Sequence, residues 1–303
     1  MPLALTTRIL ALGSALALAS PASRASERSA PCLNDVAGTI SSDSFEPIQR
    51  RGGHIRRAVN ETSITELDVY FHIASSQADA DLITDDIVAA QFSVLQESFA
   101  EQDIHLTLVS TDRVVDDLTA ARFFAQDPDT GVWTDYNEQY LAYVKSTRKG
   151  GYDALNLYFY TTYLPGATGY CTWPLETTVT EGSDVFYRDS CQLSARTMPG
   201  LPVERQFDGW NMGHMAVHET GHWLGLNHTF TGGCSGDGDF VSDTPAHALI
   251  YDCPTGSDTC PTVPGLDPIH NFMGYTNDTC TSEFTPGQKD RMLNTFYNFR
   301  RRS

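Results

Sequence analysis

Residues 218–228 read His-Glu-Thr-Gly-His-Trp-Leu-Gly-Leu-Asn-His, and few eleven-residue stretches restrict a backbone more. Residues four apart on an α-helix share a face, so a helix here aims the imidazoles of His218 and His222 at one point, with Glu219 just beside it. The preceding GWNMGHMAV is compatible with that helix. Gly225 allows the backbone to turn out of the helix, which brings His228 round as a third imidazole. Three neutral imidazoles form a ligand set for zinc and leave its fourth tetrahedral position to water. Zinc lowers the pKa of that water toward neutrality and polarises a peptide carbonyl. A carboxylate placed like that of Glu219 can take the proton and hand it to the leaving amine. The chemistry expected is peptide hydrolysis without a covalent intermediate. His214, one turn before His218, is assigned to support or packing.

The rest of the chain sets the context for that site. At 303 residues, 41% hydrophobic and 19% charged, it can bury a core as one large domain or two small ones. Acidic residues outnumber Lys plus Arg by 38 to 20, for a net charge of −18. Such a surface repels phosphate backbones and anionic membranes, which makes nucleic-acid binding a poor expectation. Residues 1–25 combine an early Arg8, an apolar run from Ile9 to Ala19 and then small residues, the order of a secretory signal peptide cut near Ala22 or Ala25. The run is well short of the roughly 20 residues needed to cross a bilayer, and no later segment supplies a membrane anchor. A secreted, extracellular protein is expected.

Residues 26–60 are rich in Ser, Arg, Gly and Pro, with dibasic pairs at Arg50-Arg51 and Arg56-Arg57, as in a propeptide; a retained flexible arm is the alternative. Removing residues 1–57 discards seven basic and four acidic residues, so the remainder is more acidic still. Beyond it, 66–74 (ELDVYFHIA) alternates like a half-buried strand. Val88, Phe92, Leu95 and Phe99 then line one face of a helix, and 104–110 forms a second strand. A helix over 137–148 and a buried strand at 154–160 (ALNLYFY), bounded by Gly150-Gly151 and Pro165, continue the pattern. This order predicts an α+β fold with a mostly parallel sheet. GYCTWP at 169–174 and DVFYRD at 184–189 are expected to be short strands joined by Cys171 and Cys191. After residue 230 the chain turns rich in Gly, Asp, Ser, Thr and Pro with four cysteines, a disulfide-held loop region. It closes with a helix over about 287–300, with Thr285 as N-cap, Pro286 in the first turn, and Met292, Phe296 and Phe299 on one face.

With these motifs in place, the chain resembles the metzincin zinc endopeptidases and, within them, the secreted pappalysin family, over roughly residues 65–300. Metzincins carry a methionine turn beneath the metal, and Asn271-Phe272-Met273-Gly274-Tyr275 has the matching order and distance. The resemblance implies that Met273 supports the site and that Tyr275 stabilises the charge developing on the tetrahedral intermediate. Gly169 to Pro174 resembles the strand on the rim of the cleft, which would pair with an extended polypeptide substrate. The implied architecture is a metzincin-like catalytic domain over 61–303. Its upper subdomain, about 61–225, holds the twisted sheet and the zinc helix; its lower one, about 226–303, is loop-rich and disulfide-bonded and carries the C-terminal helix.

Seven cysteines leave one over, and Cys32 lies alone in the unpatterned N-terminal stretch. In several metzincins a propeptide thiolate fills the open zinc position, so Cys32 is a candidate latency ligand of a zymogen. Pro31-Cys32-Leu33-Asn34 departs from the Cys-Gly-Thr pattern of pappalysins, and an incidental thiol or an intermolecular bridge stays open. Six cysteines allow fifteen pairings; Cys171–Cys191, Cys234–Cys260 and Cys253–Cys280 are favoured. Asp237, Asp239 and Asp243 in a glycine-rich loop invite calcium; a solvated loop is the plainer alternative. Asn60 and Asn277 begin N-x-Thr sequons open to glycosylation, whereas Asn227 begins one crowded inside the histidine motif. Nothing demands a dimer, and a monomer is expected. The competing functions are a binding protein that keeps the zinc helix as a scaffold, and hydrolysis of some other amide; Glu219 argues against the first and the strand-like rim against the second.

Overall fold

The computed structural model describes Cys32 and residues 62–301, apart from 128, 131–132 and 164–166. The signal peptide, the remainder of the expected propeptide and Asn60 lie outside the described residues. The chain runs β1 (Ile64–Ser75), α1 (Asp85–Ala100), β2 (Ile104–Val115), α2 (Asp117–Ala120), β3 (Phe124–Gln126), β4 (Trp133–Asp135), α3 (Asn137–Thr147) and β5 (Leu155–Tyr160). It continues through β6 (Gly169–Cys171), α4 (Asp184–Arg188), β7 (Cys191–Ser194), α5 (His214–Trp223) and α6 (Pro286–Thr295). Five strands form one sheet in the order β2-β1-β5-β7-β6. All its pairings are parallel except that of β6, which runs antiparallel to β7 on an edge. β3 and β4 form a separate antiparallel ribbon.

The sheet arises from apolar runs that can be covered on both faces. Every residue of β5 is buried, as expected of a central parallel strand. On one face Val69, Phe71, Ile73, Leu157, Phe159 and Leu193 pack against α1 and α5 in the main core. On the other, Tyr158, Tyr160 and Ala74 meet Tyr140 and Val144 of α3. In α1 Val88, Leu95 and Phe99 face inward as their spacing implies, with Phe92 partly buried beside them, and Thr84 caps the helix by accepting from the Ile87 amide.

Two expectations need correction. The segment 184–188 is a helix and not a strand: the Ser183 side chain accepts from the Phe186 amide and caps it, an N-terminal signal stronger than the brief apolar run Val185 to Tyr187. The disulfide therefore joins β6 to β7, with Cys171 and Cys191 directly opposed in register. The C-terminal helix also changes phase. After Thr295 the chain enters a π-turn over Phe296–Arg300, whose wider turn keeps Phe296 buried and brings Arg300 inward while Phe299 stays partly exposed.

The remaining two disulfides are Cys234–Cys260 and Cys253–Cys280, the pairings favoured from the sequence. They cross-link the irregular segment between α5 and α6, which has no other regular element. Helix α6 opens with a reciprocal capping box between Thr285 and Gln288 and with Pro286 in its first turn.

Candidate active site

Helix α5 is buried from Met215 to Trp223, so its histidines leave solvent only by facing one another. The Nε2 atom of His218 lies 3.1 Å from that of His222 and 3.1 Å from that of His228, and the last two are 3.0 Å apart. Gly225, at φ +94°, makes the turn that returns His228 to the trio; its carbonyl is held at 2.7 Å by Arg291 of α6.

Backbone acceptors fix which ring nitrogen carries hydrogen. His218 Nδ1 sits 2.7 Å from the Phe272 carbonyl and His222 Nδ1 2.8 Å from the Leu226 carbonyl. A carbonyl only accepts, so both Nδ1 atoms donate and both Nε2 atoms present lone pairs when the rings are neutral. Burial, reinforced by the neighbouring His228 and His218, holds His222 neutral far below the ordinary imidazole range. Lone pairs aimed at one another across about 3 Å repel unless a cation lies between them. Zinc–imidazole bonds of about 2.0–2.1 Å place tetrahedral ligand nitrogens roughly 3.3 Å apart. The donor set therefore fits zinc in atom type, protonation and spacing.

The Cys32 sulfur joins this group, and one ligand atom from each of Cys32, His218, His222 and His228 lies within 4.8 Å of the others. Cys32 is fully buried, outside the three disulfides, and forms a parallel bridge with Gly169 on the outer edge of β6. Its carbonyl accepts a 3.2 Å hydrogen bond from the Tyr275 phenol.

Beneath the helix, Met273 is fully buried and its sulfur packs on Gly221. Its turn is tied to α6: the Met273 amide donates to Asn271 Oδ1, and the Asn271 and Gln288 amides bond reciprocally at 2.8 and 3.0 Å. Tyr275 lies edge-on to His228, whose ring also stacks on Phe230 at 4.8 Å. His214 stays outside the trio, bonded through Nδ1 to Thr281 Oγ1 at 2.8 Å and packed on Phe272.

Several contributors had not been singled out in the sequence. Trp173 stands edge-on to His222 and donates to the same Leu226 carbonyl that orients that ring. Asp189 accepts from Trp223 Nε1, Thr172 Oγ1, Arg148 and both terminal nitrogens of Arg300. The Gln288 position three residues after Thr285 was a readable capping-box signal; Trp173 lay within the 169–174 stretch read as the cleft rim, and Asp189 carried no signal.

Calcium binding is not shown by the arrangement of the acidic loop. Among the described residues Asp237, Asp239 and Asp243 do not gather as a ligand group. Asp239 turns inward to the Val241 amide and Thr244 hydroxyl, and Asp243 caps α6 through Thr285 and the Gly287 amide. Asn227 is buried with its amide on the Asp239 carbonyl, whereas Asn277 is half-buried and accepts from Thr279.

The family model described as pregnancy-associated plasma protein-A matches residues 207–297, the stretch that holds all three histidines and Met273. An extracellular metalloprotease of Podospora anserina is 42% identical over 252 residues, covering 82% of this chain and 78% of its own. One from Colletotrichum graminicola is 43% identical over 234 residues, 76% of each chain. The chain belongs to the pappalysin family of metalloproteases. Mature mirolysin of Tannerella forsythia, solved with a cleaved peptide, superposes with a TM-score of 0.56 at 21% identity over 77% of this chain and 91% of its own. Promirolysin gives 0.57 at 22% identity over 79% and 82%. This pappalysin thus has a metzincin-like fold and is a metalloendopeptidase by family. Among its described residues no helix is long and apolar enough to cross a membrane.

Proposed function

We propose that this pappalysin is a secreted zinc endopeptidase, made with a signal peptide over 1–25 and a propeptide within 26–60, whose catalytic domain spans 61–303. The observation that carries the zinc assignment is the trio of buried Nε2 atoms 3.0–3.1 Å apart, two of them forced to be bare by carbonyls on the opposite nitrogens. His218, His222 and His228 hold the ion. Bound there, zinc supplies Lewis acidity, acidifying water and polarising the scissile carbonyl.

The chain's own groups do the rest. Glu219, next to His218 on the same helix, accepts the proton of the attacking water and returns it to the leaving amine. Tyr275 donates to the oxyanion of the tetrahedral intermediate; its phenol already donates to a peptide carbonyl, that of Cys32. The free edge of β6, which takes the Cys32 bridge, is where an extended substrate adds as a strand. The Cys32 sulfur beside the three histidines supports a latent precursor whose thiolate fills the fourth zinc position. The names of the extracellular relatives support secretion.

The test is casein digestion by the purified, N-terminally processed protein, with zinc measured by mass spectrometry before and after 1,10-phenanthroline and zinc restoration. Activity is expected to vanish with the metal and return with it. Stoichiometric zinc without cleavage would make the trio a scaffold.

A further inference from the structure

The edge strand of the sheet meets the Glu219 side chain at Gly169. Gly169 opens β6, paired on its inner side with Leu193 of β7 and on its outer side with Cys32. A Cβ placed on Gly169 would stand 2.6 Å from Glu219 Oε1, 2.7 Å from its Cγ and 2.9 Å from its Cδ, and these are its three nearest neighbours. Real Cβ atoms do not approach heavy atoms that closely, so the whole carboxylate arm of Glu219 lies along the bare Cα of the strand. Glu219 is fully buried on a helix whose backbone is packed on every side, and only its side chain has freedom to respond.

We propose that Gly169 is a positioning residue for Glu219. The helix fixes where the arm starts, and the edge strand fixes where its carboxylate ends. Any side chain at 169 drives the arm into another rotamer, and a displacement near 1 Å at a reacting group costs about a hundredfold in rate. The same residue pairs an extended chain on its outer edge, so substrate backbone and proton acceptor are placed by one strand position. This rests on Glu219 as general base, and the tests separate the two claims.

The first test is a thermal cycle on the full chain, free of any dependence on activity. Gly169→Ala should lower Tm by roughly 2–10 °C in the native background, the size of an overpacked core contact. In a Glu219→Ala background, where the clashing atoms are gone, it should change Tm by less than about 1 °C, since contacting residues are not additive. An equal drop in both backgrounds overturns the proposal, because the glycine would then serve only the strand. The second test is kinetic, on the processed enzyme. Gly169→Ala should lower kcat about a hundredfold with KM within about threefold and zinc content unchanged. Loss confined to KM would assign the residue to substrate pairing and overturn the proposal. Proteolysis that survives Glu219→Ala would remove the general-base role, while the thermal cycle would still report the contact.

Discussion

The phenol of Tyr275 donates a 3.2 Å hydrogen bond to the carbonyl of Cys32, a residue 243 positions earlier in the chain. The N-terminal segment thus offers the methionine-turn tyrosine what a substrate would offer it, a peptide carbonyl, and sets a sulfur among the three histidines at the same time.

Full-length protein with Cys32→Ala is expected to digest casein without processing, at a rate on the order of tenfold or more above the unprocessed wild type, because water then competes for the zinc position unopposed by a thiolate. Rates from both full-length proteins check this. Equal latency in the two would remove the sulfur from the account and leave steric blockage alone.

On the proposed role of Tyr275, Tyr275→Phe in the processed enzyme removes one donor to the developing oxyanion and leaves the ring packing on His228 and Phe230 intact. Loss of such a donor lowers kcat by about 10²–10³. Steady-state kinetics on a peptide substrate should place the loss in kcat; a change confined to KM would reassign the phenol to substrate binding.

The carboxylate of Asp189 is buried between the guanidinium groups of Arg148 and Arg300, at 3.4 and 2.9 Å. Arg300 stacks 3.6 Å over the Trp223 ring and donates to the Trp223 carbonyl at the end of α5. Asp189→Ala leaves two buried cations uncompensated, and breaking such a network costs about 3–5 kcal/mol. Urea unfolding should show the drop. A loss under about 1 kcal/mol would mean that water reaches the site freely.

Burial raises the Asp278 carboxyl to about 7, although the Met212 amide donates to it at 2.7 Å. Its folded pKa lies above the unfolded value of 3.8, so the native state binds the proton more tightly. Its contribution is therefore fully present in acid and falls as pH rises from about 4 to 7, by at most about 1.4 kcal/mol per pH unit. Buried His72, lowered to about 4 by desolvation, has the opposite slope, its stabilising effect being lost as pH falls from 6.5 toward 4. The difference between Asp278→Asn and wild type isolates the aspartate. The variant should gain stability relative to wild type as pH rises across that window and hold a constant advantage above pH 7. A flat difference would show an aspartate charged in the folded protein.

The histidine motif was legible because helical spacing alone places His218 and His222, and one glycine places His228. The capped start of α6 and the strand–helix order around β1, α1 and β2 followed from local signals of the same kind. What was hidden depended on contacts remote in sequence. The extension of β2 to Val115 continues a ladder with β1 as far as Ser75, which the composition of 111–115 does not announce. The β3–β4 ribbon is only three residues per strand. The misread segment 184–189 had only a three-residue apolar run, Val185 to Tyr187, too little to outweigh a serine cap. Asp239 and Asp243 show the limit of composition: close in sequence, they part in the fold, Asp239 buried on the Val241 amide and Asp243 at the exposed start of α6.

The bond from Arg300 to the Trp223 carbonyl spans 77 residues and gives assembly a direction in time. A chain leaving the ribosome presents the histidine helix well before the arginine that clasps its end, and domains generally fold as units during synthesis. The histidine helix therefore gains this clasp only after the segment between Trp223 and Arg300 has been made.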